Sequence, residues 1–451
     1  MKSKFDKLSD IAEVIDSLHK TPKYSNEGQA MVRCTDVKYG KLDLKSTFKV
    51  NEEVFKEFSR RYTPSKGDII ITRVGSYGIT AIVDELDFCL GQNTSVIIPK
   101  NINARYLYLA LNSTYVKNQI EFSVVGSTQK TLSLKAINNL EIPRFEPNIE
   151  DEIAKIGGEL DDKIELNAQT NQTLEQIAQT IFKSWFVDFD PVKAKIETLA
   201  AGGSADDAEL AAMRVISAKT FDELNSLKAS NPEAFNKLAQ TASLFPAAMQ
   251  DSELGEIPER WEVGKLANII DFNPRRTLKK GTLAPYLDMK NVPTTGHLAI
   301  EVVDREMASG TKFVNGDTLL ARITPCLENG KTAYVDFLKD NQVGWGSTEY
   351  IVMRPKEGYP TSIGYLLARD TNFRQQAIQS MTGTSGRQRA DAKALAETAW
   401  LIYPKELVRA FDKTAKGYLS LAKINGDESK SLSEIRDALL PKLLSGELVG
   451  E

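Results

Sequence analysis

Cysteine and histidine are scarce in this sequence. Its 451 residues include three cysteines, Cys34, Cys89 and Cys326, and two histidines, His19 and His297. An odd, widely spaced cysteine set supports no disulfide framework and fits a reducing compartment, so a cytoplasmic location is expected. Neither histidine lies at metal-ligand spacing from a second ligand, which argues against a metal site. Apolar runs are short, as around Ile69-Ile70-Ile71, and Met1 to Lys7 is charged. No membrane span and no secretory leader are therefore expected. There is no GxxxxGK[ST] phosphate loop, no GxGxxG opening a helix and no GxSxG elbow. These absences predict a chain that carries no catalytic chemistry and holds no cofactor of its own.

What is present is the composition of a soluble globular protein, 41% apolar and 26% charged, with a net charge of −4. The charge is unevenly spread. Residues 1–150 carry +3, 151–250 carry −7, 251–405 carry +1 and 406–451 carry −1. The acid excess is confined to the central block, which leaves room for local nucleic-acid-binding patches elsewhere.

The strongest signal is internal repetition. Lys7-Leu8-Ser9-Asp10-Ile11 is echoed by Lys265-Leu266-Ala267-Asn268-Ile269, and Gly67-Asp68 through Arg73-Val74 by Gly316-Asp317 through Arg322-Ile323. Asn93 to Lys100 is echoed by Ser347 to Lys356, Tyr106 to Leu111 by Ile363 to Ala368, Gly126 to Lys130 by Gly383 to Arg387, and Leu140 to Pro143 by Leu401 to Pro404. The order never changes and the offset drifts only between 249 and 261 residues. Each half therefore holds one copy of the same mixed α/β domain. Within the first copy, 68–74, 79–84 and 94–98 read as strands and 103–121 as a helix, with Ser133 capping a short helix to Asn139.

A long helix follows each copy. Ile149, Ile153, Ile156, Leu160, Lys163, Asn167, Thr170, Leu174, Ile177 and Ile181 step alternately by four and three. Leu407, Phe411, Thr414, Tyr418, Leu421, Asn425, Glu428, Leu432, Ile435 and Leu439 repeat those steps at a constant offset of 258. Such spacing predicts a coiled-coil seam. If the helices pair antiparallel, Asn167 and Asn425 meet at mid-seam and set the register; solvation of both at a loosened seam is the other reading. Either helix could separate its ends by roughly 50 Å. Between the first helix and the second copy, 191–250 reads as short helices broken at Ala200 to Ser204 and Phe245-Pro246.

Two equivalent domains held apart by paired helices form a pseudo-twofold object suited to a target with two opposed half-sites, such as duplex DNA. The helical stretch Ile164-Glu165-Leu166-Asn167 through Leu174-Glu175-Gln176-Ile177 to Trp185-Phe186-Val187-Asp188-Phe189-Asp190-Pro191 resembles the central conserved region of type I restriction-modification specificity subunits. So do Leu254 to Trp261 and the tail Ile435-Arg436-Asp437 through Leu440-Pro441-Lys442 to Leu448. The likeness in organisation spans the chain.

The resemblance implies an α+β architecture in five parts. These are a first target recognition domain (1–147), a conserved coiled-coil helix (148–190), a helical connector (191–253), a second target recognition domain (254–405) and a second conserved helix (406–451). It further implies double-stranded DNA with a bipartite site as ligand, two methyltransferase subunits and restriction/translocase subunits as partners, and helices that set the spacer. S-adenosylmethionine and ATP are then expected on those partners and no cofactor on this chain.

Within the two copies, the best DNA-contact candidates are Ser127, Thr128, Gln129 and Lys130, with Thr384, Ser385, Arg387, Gln388 and Arg389. Each set is a Gly-and-hydroxyl loop ending in cations, apt for phosphates and base edges; a solvated turn is the plain alternative. Secondary candidates are Arg73, Ser76, Tyr77, Gln92 and Asn93 in the first copy, and Arg322, Glu328, Asn329, Lys331 and Trp345 in the second. Arg275, Arg276, Lys279 and Lys280 form a basic run that suits either phosphates or a solvated loop. Trp185, Phe186 and Phe189 suit packing or partner docking better than base stacking. A second function class stays open: a coiled-coil adaptor whose two domains bind protein, to which the modest charges of +3 and +1 lend support.

Overall fold

A computed structural model describes residues 4–45, 47–126, 130–384 and 386–448. They divide into two compact units, one of residues 1–167 with 427–451 and one of residues 168–426. Each long helix is thus shared between the units.

In the first unit, strand Lys4–Lys7 pairs antiparallel with Glu141–Arg144. A four-stranded antiparallel sheet runs in the order Ala12–Asp16, Thr94–Pro99, Ile69–Thr72, Thr80–Ile82. A three-stranded sheet holds Phe48–Val50, Gln29–Val32 and Phe88–Leu90, the last pair parallel. The run Ile69-Ile70-Ile71 is buried on both faces, Ile69 and Ile71 in one core and Ile70 in another, which explains its lack of alternation. The helix expected over 103–121 is two helices, Ala104–Leu111 and Thr114–Ser123. The break lies at Asn112-Ser113, where the Ser113 side chain accepts from Val116 N and caps the second helix. Ser133 caps Leu134–Asn138 by accepting from Ala136 N, as expected.

The second unit repeats this plan. Glu262–Lys265 pairs with Ala399–Ile402. Its main sheet runs Ile270–Phe272, Tyr350–Pro355, Thr318–Ala321, Thr332–Tyr334. A smaller sheet joins Val303–Glu306, Leu283–Leu287, Gly344–Gly346 and Thr311–Phe313. Register fixes the equivalences residue by residue. Ala12 opposes Pro99 as Ile270 opposes Pro355, and Thr72 opposes Thr94 as Ala321 opposes Tyr350. The central segment forms four helices, Asp190–Ala200, Ala205–Ser217, Phe221–Ser230 and Pro232–Ala242, with Ser204, Thr220 and Asn231 capping the last three.

The long helices run Pro147–Phe186 and Lys405–Ser445. In each unit their halves pair antiparallel. Asp161 accepts from Arg436 at 2.8 Å and Asn167 donates to Glu428 at 2.8 Å in the first unit. In the second, Asn171 donates to the Ala422 carbonyl at 2.9 Å and accepts from Asn425 at 2.9 Å.

The expected stripe holds in part, with Ile153, Asn167, Leu407 and Phe411 buried, and elsewhere burial moves by one position. Ile156 and Ile177 are 36% and 38% exposed, whereas Ala178 is buried, as are Ala415 and Ala422 beside exposed Leu421. Small residues fill the seam because the helices also seat the globular copies. A side chain at Gly157 would meet Leu109 at 2.5 Å, and one at Gly158 would meet Arg105 at 2.7 Å. Arg105 uses that approach to donate to the Gly158 carbonyl at 2.7 Å. In the second unit the Tyr365 hydroxyl donates to Glu175 at 2.5 Å, and Arg369 donates to the Tyr365 oxygen at 3.0 Å. Trp185 and Phe186 are buried with Phe182, Phe411 and Tyr403 in one aromatic cluster, so they are packing residues.

Candidate nucleic-acid interface

The two candidate loops leave the fold in the same way. Val125 and Thr131 exchange both backbone hydrogen bonds across the root of the first loop, and Thr382 and Arg389 do so across the second. Gly126 and Gly383 follow the root with φ of +115° and +123°. Behind each root stands an arginine whose backbone is pinned on both sides. Arg73 N donates to the Asn93 carbonyl and its own carbonyl accepts from Leu132 N; Arg322 N donates to the Glu349 carbonyl and its carbonyl accepts from Ala390 N. The repeat thus places both loops at the same end of equivalent strands.

Of the loop candidates, Ser127, Thr128, Gln129 and Ser385 lie outside the described residues. Lys130 is exposed but engaged: it donates to Glu121 at 2.8 Å and to the Tyr77 hydroxyl at 3.3 Å, while that hydroxyl donates to Glu121 at 2.6 Å. These bonds hold the Lys130 ammonium above its ordinary pKa and the Glu121 carboxyl below its own. Thr384 closes a turn by accepting from Arg387 N. Arg387 is exposed. The Gln388 carbonyl accepts from Thr324 N. Arg389 forks onto Glu349 with three bonds of 2.7 to 3.0 Å.

The secondary candidates separate further. Arg73 is held by Asp16 at 2.5 Å and donates from Nε to the Leu132 carbonyl. Gln92 and Asn93 are half-buried, and Asn93 takes a left-handed φ of +66° with its carbonyl also accepting from Cys34. Lys331 points inward to the Met289 carbonyl at 2.7 Å, and Trp345 is buried with its ring N–H on the Arg305 carbonyl. Both serve the fold. Glu328 and Asn329 are exposed. Arg276 reaches Asp317 at 3.2 Å, while Arg275, Lys279 and Lys280 are exposed. Sequence reasoning missed Phe122, which is 89% exposed beside the first loop, and exposed Val125 at its root. It also missed Lys312, whose position beside Arg322 depends on strand order.

Among the described residues no group of three or more His, Cys, Asp or Glu could hold a metal ion. Burial pushes the Cys89 thiol up to about 12, as expected of an inert core residue. None of the described helices is long and apolar enough to cross a membrane.

This duplicated layout matches a known class. Residues 2–176 match the type I restriction modification DNA specificity domain. The chain is 30% identical over 417 residues to the HindI type I restriction enzyme specificity subunit of Haemophilus influenzae, covering 85% of this chain and 87% of that protein. It therefore belongs to the specificity subunits of type I restriction-modification systems. The MjaIX specificity subunit of Methanocaldococcus jannaschii is 33% identical over 145 residues, 32% of this chain and 33% of that one. The crystal structure of the M. genitalium S subunit shares the fold with a TM-score of 0.50 at 16% identity, over 98% of this chain and 96% of that one.

Proposed function

We propose that each globular copy reads one half of a bipartite site on double-stranded DNA, and that the long helices set the spacer and dock two methyltransferase subunits. Restriction/translocase subunits join the same assembly, and S-adenosylmethionine and ATP are bound by those partners in the cytoplasm. The observation that carries the reading is the shared exit of the two loops, 126–130 and 383–388, from equivalent bridged roots. Equivalent reading surfaces on two copies of one domain suit two half-sites. Docking on the helices is supported by large apolar side chains left exposed along them, Ile156, Leu166 and Ile177 on the first and Leu421, Ile424 and Ile435 on the second. Asn167 and Asn425 act as polar seam positions that fix register.

The test is a genome-wide map of methyladenine with and without this gene. Loss of one split motif on deletion is expected, and it supplies both half-sites and the spacer. If co-expression with the neighbouring methyltransferase in a clean host yields no motif, the reading is wrong and the protein-binding adaptor takes its place.

A further inference from the structure

The paired arginines behind the two loops have different surroundings. Arg73 is neutralised. Asp16, the last residue of its strand, opposes Ser95 and accepts from both Arg73 and the Ser95 hydroxyl. Carrying the register across at Pro99 and Pro355 puts Pro274 where Asp16 stands and Ile351 where Ser95 stands. The ladder ends at Phe272, and Asn273 turns away with a left-handed φ of +50° while its N–H and side chain still bond Val352. Pro274 is therefore the counterpart of Asp16 by position in the chain, and it lines the same cavity as Arg322. The second copy thus lacks both the carboxylate and its hydroxyl support.

Arg322 has nothing in their place. Among the described residues its Nε is buried without a hydrogen-bond partner, and so is the Nε of Arg276. The two arginines and Lys312 line one cavity of about 260 Å³ together with Asn273, Thr311 and Thr348, and among the described residues no carboxylate lines it. The nearby carboxylates are already engaged, Asp317 by Arg276 and Arg354, and Glu349 by Arg389. Leaving buried guanidinium N–H groups unmet is costly unless a ligand meets them. A guanidinium fork with neighbouring ammonium and hydroxyl groups matches a phosphate better than any neutral group. At ~30 Å³ per water, the cavity has room for a phosphodiester and several waters.

We propose that the cavity of Arg322, Arg276 and Lys312 is a phosphate-binding site that clamps one backbone phosphodiester of the DNA, present in the second copy and replaced by the Arg73–Asp16 ion pair in the first. The inference rests on the DNA-reading function proposed above. It makes the second copy an anchor as well as a reader, because a phosphate contact positions the duplex without reporting its sequence.

The experiment uses the full chain co-expressed with its methyltransferase subunits. A duplex is selected from a randomised pool, and its affinity is followed between about 50 and about 200 mM salt. Arg322→Ala is expected to weaken binding roughly tenfold at the lower salt, and to reduce the slope of log affinity against log salt by about one with the selected bases unchanged. Pro274→Asp puts a carboxylate into the cavity lining while keeping the arginine, so it is expected to act alike without loss of the Arg322 side chain. An unchanged slope in both variants overturns the proposal, as does a loss confined to one base position, which would make Arg322 a base reader. If inorganic phosphate raises the melting temperature of wild type but not of Arg322→Ala while DNA affinity is equal, the cavity takes free phosphate and the proposal fails. Selection of no duplex by wild type sinks the DNA reading itself, a distinct outcome.

Discussion

The two copies place an arginine at the same point and give it opposite company. In the first copy Arg73 and Asp16 are 11% and 12% exposed and bonded to each other; in the second, Pro274 lines one cavity with Arg322. The backbone around both arginines is identical in hydrogen bonding. A duplicated fold therefore conserves the scaffold at the root of each loop while the charge presented there is free to differ. One carboxylate decides whether the arginine belongs to the fold or to a ligand.

The comparison breaks most visibly at Asp16. Asp16→Ala leaves a largely buried guanidinium unpaired and should destabilise the first copy by about 3 kcal/mol in denaturant melts, against under about 1 kcal/mol for Pro274→Ala. Burial pushes the Asp16 carboxyl up, but the bonds from Arg73, His19 and Ser95 outweigh it and the net shift is downward. A carboxyl lowered in the folded state stabilises above its unfolded pKa of about 3.9 and loses that contribution as pH falls through the folded value. The gap between wild type and Asp16→Ala should be full at neutral pH and shrink in acid below about pH 4. A gap that persists there would show that the stabilisation is not ionic.

Gly67 and Gly316 sharpen the same contrast at equivalent turns, with φ of +90° and +84°. A Cβ at Gly67 meets only the Ala104 methyl at 3.2 Å, whereas one at Gly316 meets Thr361 at 2.7 Å and Arg354 at 2.8 Å. Thermal melts should show Gly316→Ala costing about 2 kcal/mol and Gly67→Ala about 1 kcal/mol. Equal costs would mean that the Arg354 side chain swings away freely. The smallest effect is expected at the loop cations. Lys130 is already bonded to Glu121 and Tyr77, so Lys130→Ala should weaken DNA binding under about twofold, and Arg387→Ala roughly fivefold, about 1 kcal/mol. The reverse ranking in a binding titration would place the DNA nearer the first loop.

The duplication was legible because glycine, hydroxyl and cation patterns survive at loop roots, and the long helices because their apolar steps run unbroken. The phase of the seam was legible at Ile153, Asn167, Leu407 and Phe411, which are buried, and not beyond them. Apolar size pointed to Ile156, Ile177 and Leu421, yet Gly157, Ala178 and Ala422 are buried instead. Periodicity sees one stripe, whereas each helix also seats a globular copy, and close approach there selects small residues. The short strands Gln29–Val32 and Phe88–Leu90 left no pattern, since their parallel pairing is long-range. At the site, the sequence displays Asp16 and Pro274 at the expected offset, but only strand order shows that they stand beside Arg73 and Arg322.

The first and last strands of each copy also lie side by side, Lys4–Lys7 on Glu141–Arg144 and Glu262–Lys265 on Ala399–Ile402. Entry and exit of the chain therefore share one narrow doorway. A copy built this way is tied to the rest of the chain at a single point, so a change to its interior need not disturb the long helices.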